Sequence, residues 1–374
     1  MLSIIRTATP YYKIRGRVKR NVERRLKRQS SWDGRHLNNL LKAHRCLIKQ
    51  RGKGGCLKSE SVKIFNGLLF EILLAPNQLH FSVPYASSIP KDWGKGTIVW
   101  HKAKGSHFVF SKRLGFDANA GLEVAGSKFS ILREPMSSWD RILTQLMLEV
   151  QTKRHHYEEV GISHLIKEEA LYFVGHLPKF REEMFKVSGA QLNLFLIPTS
   201  EVVLVSLVQN KVLESSALPK RLVAFSFCFR FERGRYGKEN RGLLRQRQFS
   251  KVEIVQIAPE ASSYRTLDEV LRDAEAVLQK LGISYRLLEV GSADVGSSSA
   301  KTFDVEVWLP SLGLYKEVSS CSNTESFQSQ RLQTKYLLGS SQHFAHIING
   351  SGLAVGRALT AVLEQATNSK WKGD

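Results

Sequence analysis

The chain has 374 residues, 42% of them hydrophobic and 24% charged, a composition that can bury a sizeable core and excludes a disordered tail-like protein. Lys and Arg number 55 against 34 Asp and Glu, a formal charge of +21; residues 1–58 hold 17 basic and 2 acidic side chains, or +15, which leaves +6 for all the rest. This is the pattern of a polyanion-binding appendage on a nearly balanced globular body, and nucleic acid is the partner that the charge implies.

Residues 1–20 contain no acid and mix Arg and Lys with apolar and hydroxyl side chains. That is the make-up of a mitochondrial presequence, with the start of a basic RNA-binding helix as the alternative. From Asn21 to Gln50, Leu37, Leu40, Leu41, His44 and Leu47 recur at helical spacing until Gly52, Gly54 and Gly55 interrupt them. A second periodic run, Val62 to Leu74, stops at Pro76, so residues 21–78 read as a basic helical hairpin. The prolines and glycines between 76 and 105 mark an extended entry into a second domain, taken as residues 79–374. The longest apolar stretch, Phe65 to Ala75, carries Glu71 and is too short to span a bilayer, so no membrane partner is expected. Four cysteines without a C-x-x-C pair or a Cys/His zinc spacing argue against a disulfide framework and against zinc.

Within the second domain, Ser137 and Asp140 suggest a capping box ahead of the stripe Trp139, Ile142, Leu143, Leu146, Met147 and Val150, which predicts a helix. Strands are predicted near 193–198, 222–232, 249–257, 284–290, 303–309 and 314–319, and a helix from Thr266 to Leu281 that ends at Gly282. A closing strand at Phe344 to Ile348 leads to a glycine turn and a last helix. Clustered strands with few helices between them predict an α+β fold, an antiparallel sheet flanked by helices.

The run VAFSFCFRFE alternates, with Val223, Phe225, Phe227, Phe229 and Phe231 expected to face a core, and Ser226, Cys228, Arg230 and Glu232 the other side. It leads into a loop with five arginines and three glycines, suited to a phosphate-rich ligand. Phe249 and Glu253 share a parity on the returning strand, roughly 13 Å apart, about the span from an adenine ring to the ammonium of an amino acid joined to it through a phosphate. The glycines of NGSGLAVGR have the wrong spacing for a dinucleotide fold, and the chain ends before the second strand such a fold needs. Arg357 near the start of the last helix is well placed for a phosphate.

Five ordered motifs, LIPTSE (196–201), CFRFE (228–232), RQFSKVE (247–253), KEVSSCSN (316–323) and NGSGLAVGR (349–357), resemble the seryl-tRNA synthetase family. The resemblance covers about residues 79–366 and implies a class II synthetase domain acting as a homodimer. Serine and ATP would form seryl-adenylate, and the seryl group would pass to the terminal adenosine of serine tRNA. It implies catalytic roles for Arg230, Glu317 and Arg357, and ATP binding by these with Phe231, Glu232, Arg245, Phe249, Val318, Ser319 and Ser320. Serine would be held by Thr199, Ser200, Glu201, Arg230, Glu253, Asn349 and Ser351, and Mg²⁺ by Glu317 and Ser320 with ATP. Strict alternation puts Glu317 and Ser320 on opposite faces, so their strand must bend or bulge for both to reach one ligand.

The chain departs from the family pattern at three places: Ser163 stands where a proline is usual, Arg247 replaces a histidine, and Ser292-Ala293-Asp294-Val295-Gly296 replaces a T-G-D-M-G-like run. The hairpin is about half the usual arm, which suggests a structurally reduced organellar serine tRNA as partner, and the presequence-like residues 1–20 suggest the mitochondrial matrix as location, with the cytoplasm as alternative. An inactive, RNA-binding relative in mitochondria and a ligase for another small amino acid are the competing functional readings.

Overall fold

The computed structural model describes residues 76–85, 87–91, 106–189, 192–233, 237 and 241–366. The expected presequence and the hairpin up to residue 75 lie outside them.

Eight strands form the central sheet: β1 (Ile89–Lys91), β2 (Glu158–Glu159), β3 (Lys220–Phe229), β4 (Gln248–Ala258), β5 (Tyr285–Glu289), β6 (Lys301–Leu309), β7 (Leu314–Asn323) and β8 (His346–Ala354). Their spatial order is β1-β5-β6-β7-β8-β4-β3-β2. Every pairing is antiparallel except the short edge strand β2, which runs parallel to β3. The α+β expectation therefore holds.

One sheet face packs on α1 (Met136–Glu149), α3 (Ser263–Leu281) and α4 (Val355–Ala366), and it buries Val223, Val252, Ile254, Val305 and Leu353. Helix α3 supplies Leu267, Val270, Leu271, Ala274, Val277 and Leu278, all buried at helical spacing. Each larger side chain of such a stripe contributes about 1.5–3 kcal/mol. Gly282 ends α3 at φ 66°, a left-handed cap. The opposite face is covered only in part, by α2 (Glu201–Ser206), the helix Glu168–Phe173 and a small sheet of Leu165–Lys167, Lys186–Gly189 and Leu192–Leu196. That layer seals Leu222, Ala224, Val255 and Ile257. The N-terminal half of β4 is left as the floor of a cleft.

Three local expectations need correction. The strand predicted at 193–198 belongs to the small covering sheet, not the central one. Ser137 and Asp140 do not form a capping box: the Ser137 and Ser138 hydroxyls donate to Glu134, while Asp140 accepts from Ser250 across the core. The phenylalanine face of β3 is buried only at its start, where Val223 sits in the helix-side core and Phe225 packs against it. Phe227 is 39% exposed while Ser226 and Cys228 are fully buried, because the polar face of β3 is the one roofed by the second layer.

The NGSG segment is also not a turn. β8 runs through it to Ala354, and a Cβ on Gly350 would meet Val270 Cγ1 at 2.7 Å and Cys321 Sγ at 3.0 Å. Gly350 is there for the close approach of α3 and β7, not for a backbone reversal.

Candidate active site

The covering layer leaves a cleft of about 530 Å³, open to solvent, whose walls come from four remote stretches of chain. Arg230, Glu232, Arg245, Phe249, Lys251, Glu317, Ser351 and Arg357 all line it.

Arg230 follows the last residue of β3. Its Nε donates to the Pro198 carbonyl at 3.2 Å and its Cζ stands 5.3 Å from the centre of the Phe249 ring. Glu232, at φ 54°, turns back to pair with Arg245 at 2.5 Å. A flat aromatic ring beside one guanidinium, with a carboxylate–guanidinium pair close by, suits a purine and its phosphates.

The second wall is β7. Pairing with β6 matches Asp304 to Ser320 and Val305 to Ser319, then shifts so that Glu306 faces Glu317. The extra residue, Val318, bulges out, and Glu317 and Ser320 come to share the face of Asp304 and Glu306. This is the irregularity that both side chains would need to reach one ligand. Arg357, in the first turn of α4, reaches across with Nη1, which donates to the Glu317 carbonyl at 2.9 Å and lies 3.4 Å from its carboxylate. Arg357 Nε donates to the Leu244 carbonyl, which ties α4 to the end of the β3–β4 loop.

Asp304 has its carboxyl pushed up to about 7 by burial and by the nearby charge of Glu317. The donors gathered here are carboxylate and hydroxyl oxygens, the chemistry of a hard divalent cation. Among the described residues no group of three or more His, Cys, Asp or Glu is arranged to hold a metal alone. The arrangement fits magnesium, which binds through one or two carboxylates and completes its shell with phosphate oxygens and water.

Deeper in, β4 presents Phe249, Lys251 and Glu253 on one face, since each is paired to the roofed side of β3. Lys251 is 6% exposed; its Nζ donates to Thr199 Oγ1 at 2.8 Å and pairs with the Glu253 carboxylate. Glu201 accepts from Gln328 Nε2 at 2.7 Å. Burial, reinforced by the charge of Glu253, pushes the Glu201 carboxyl up to about 7. Burial, with Arg230 and Lys251 as positive neighbours, takes His176 down to about 3, so this imidazole is neutral. Ser200 shares a hydrogen bond with Ser226 at 3.0 Å. Ser351 and Asn349 on β8 stand opposite Glu253 and Val255.

The structure thus gathers Arg230, Glu232, Arg245, Phe249, Glu317, Val318, Ser351 and Arg357 around one cleft, with Thr199, Ser200, Glu201 and Glu253 behind it. It does not bring Phe231 there: that ring packs on Phe185 at 5.5 Å and beneath Arg233 and Arg247. The Ser319 hydroxyl is spent on the Ser351 carbonyl at 2.6 Å. Three contributors were missed from the sequence. Lys251 and Asp304 had a readable signal, being polar residues in phase with the predicted site on alternating strands. Gln328 had none, because its contact with Glu201 spans 127 residues.

The class II core domain of tRNA synthetases for G, H, P, S and T matches residues 185–366. The serine–tRNA ligase of Burkholderia multivorans is 43% identical over 331 residues, 85% of this chain and 76% of that protein. Among solved structures, the seryl-tRNA synthetase from Pyrococcus horikoshii complexed with ATP superposes with a TM-score of 0.76 at 26% identity, covering 96% of this chain and 87% of that one. The cytoplasmic serine–tRNA ligase from Naegleria fowleri in complex with AMP gives 0.71, also at 26% identity, covering 84% and 68%. With its five motifs assembled around one cleft and this degree of identity over most of its length, the chain belongs to the seryl-tRNA synthetase family of class II aminoacyl-tRNA synthetases.

Proposed function

We propose that the protein is a serine–tRNA ligase that joins serine to ATP as seryl-adenylate, with release of pyrophosphate, and passes the seryl group to the terminal adenosine of serine tRNA. The observation that carries this reading is the convergence of Arg230, Glu317 and Arg357 on one cleft. No side-chain nucleophile is needed. Attack of the serine carboxylate on the α-phosphate calls for alignment and charge neutralisation.

Phe249 and the Glu232–Arg245 pair hold the adenine end. Arg230 stands between them and the serine pocket, where it meets the α-phosphate and the attacking carboxylate together. Arg357 takes the far phosphate. Magnesium entering with ATP would be held by Glu317 and Ser320, beside Asp304, and would spread the negative charge of the phosphates. Thr199, Glu201, Glu253 and Ser351 receive the ammonium and hydroxyl of serine, and buried partners of this kind strongly reject an analogue that lacks the hydroxyl.

The reading includes a homodimer, supported by the exposed apolar side chains Ile142, Leu165 and Phe227 on or beside α1 and β3. It also includes the mitochondrial matrix, supported by the acid-free first 20 residues. Light scattering at a single chain mass would oppose the first; matrix import undiminished by deletion of residues 1–20 would oppose the second.

Serine-dependent ATP–pyrophosphate exchange tests the central reading. The protein should exchange with serine and not with alanine, and Arg357→Ala should lower kcat/KM for ATP by about 100-fold. Exchange driven by another amino acid, or by none, overturns it.

A further inference from the structure

The cleft ends at a lysine. Lys251 lines it, whereas Thr199 and Glu253, two of the residues that receive serine in the reading above, lie behind Lys251 and do not. Its Nζ is bonded to both of them, and the side chain is almost wholly buried. A cation of the protein therefore sits on the acceptors that a substrate ammonium requires. Two cations within hydrogen-bond reach of one carboxylate repel strongly where water is excluded, so the two cannot comfortably share Glu253.

The side chain has somewhere to go. Lys251 is rooted on β4 between Phe249 and Glu253 on the same face, and four rotatable bonds let its head swing toward the mouth of the cleft. That movement takes it away from Glu253 and toward the space beside Arg230 and Ser351, where the substrate carboxylate and the α-phosphate meet. The other ionisable groups around it include Glu201, His176, Cys228 and Arg230.

We propose that Lys251 is a positioning residue that stands in for the substrate ammonium in the empty site, holding Thr199 and Glu253 in place, and yields them on amino-acid binding so that its own charge turns to the reacting carboxylate and phosphate. The proposal rests on the serine-ligase reading. It adds an exchange of one cation for another to the binding step, with no covalent change at Lys251.

Lys251→Met, similar in volume and without charge, separates this from a purely structural ion pair. Serine binding, measured by calorimetry without ATP, should tighten about tenfold, because the competitor is gone. The kcat for serine-dependent ATP–pyrophosphate exchange should fall at least tenfold, because the charge no longer arrives. Lys251→Arg keeps the charge and adds bulk, so it should raise KM for serine with KM for ATP within twofold of the wild type. The melting temperature of each variant guards against misfolding. Weaker serine binding by Lys251→Met together with an unchanged kcat would overturn the proposal and leave Lys251 as a strut for Glu253. Absence of serine-dependent exchange in the wild-type protein would instead overturn the ligase reading, and this proposal with it.

Discussion

Glu201 shows how far a single side chain can be set by its surroundings. With its carboxyl raised from 4.5 to about 7 by burial and by Glu253, the native state keeps a proton that the unfolded chain gives up at lower pH. The associated stability is fully present below pH 4.5. It is lost as pH rises through about 7, a change of about 3 kcal/mol, and the curve is flat above that. Serine brings an ammonium to the same pocket and favours the ionised form. Glu201→Gln is therefore expected to remove this slope and to raise the melting temperature at pH 8, while raising KM for serine several-fold. Denaturation midpoints across pH 5–8, paired with exchange kinetics, check both halves; a variant that loses the pH slope with its KM unchanged would place Glu201 outside serine recognition.

At the scale of elements, the site is made by two departures from regular strand pairing. The register shift at Val305/Glu306 lets Glu317 and Ser320 share a face. The shift at Val252/Glu253 brings Ser351 opposite Glu253, with Gly352 as the extra residue on β8. A regular ladder would send half of these groups into the α3 core. Gly350 lets β8 lie close enough to α3 and β7 for this geometry. Gly350→Ala is expected to destabilise by about 1–3 kcal/mol, since its methyl would overpack the core against Val270 and Cys321. Urea denaturation measures the loss; an unchanged midpoint would mean that the contact relaxes freely.

For the whole molecule, the dominant asymmetry is electrical. The +15 of residues 1–58 is remote in sequence from an adenylate site made by residues 199–357, so nucleic-acid attraction and amino-acid activation should be separable. Deleting residues 36–75 is expected to leave serine-dependent exchange within about twofold while depressing the charging of a reduced serine tRNA, with a weaker dependence on salt. Full charging of a serine tRNA with a long extra arm by the truncated chain would contradict the role given to this segment.

Much of this was readable in advance, for a physical reason. Helix α3 declares itself through apolar spacing and its terminal glycine, and β4 through alternation, because local periodicity decides which side of an element meets water. Phe249 and Glu253 could be assigned to one face on parity alone. Parity did not say which face of β3 would be roofed, so the phenylalanine stripe was assigned to the core and Phe227 turned out exposed.

By itself the sequence determined the α+β class, the strands that carry the motifs, the charge imbalance and the face shared by Phe249 and Glu253, since all of these depend on side-chain type and short-range spacing; Glu317, Ser351 and the residues of the serine pocket were legible only through the resemblance of their motifs to a known family. Only the tertiary structure decided that β8 continues through its glycines, that Phe231 turns away, that Asp304 joins Glu317, and that Lys251 closes over Thr199 and Glu253. Those outcomes depend on which remote strand lies alongside and in what register, and that is fixed by packing between segments tens to hundreds of residues apart.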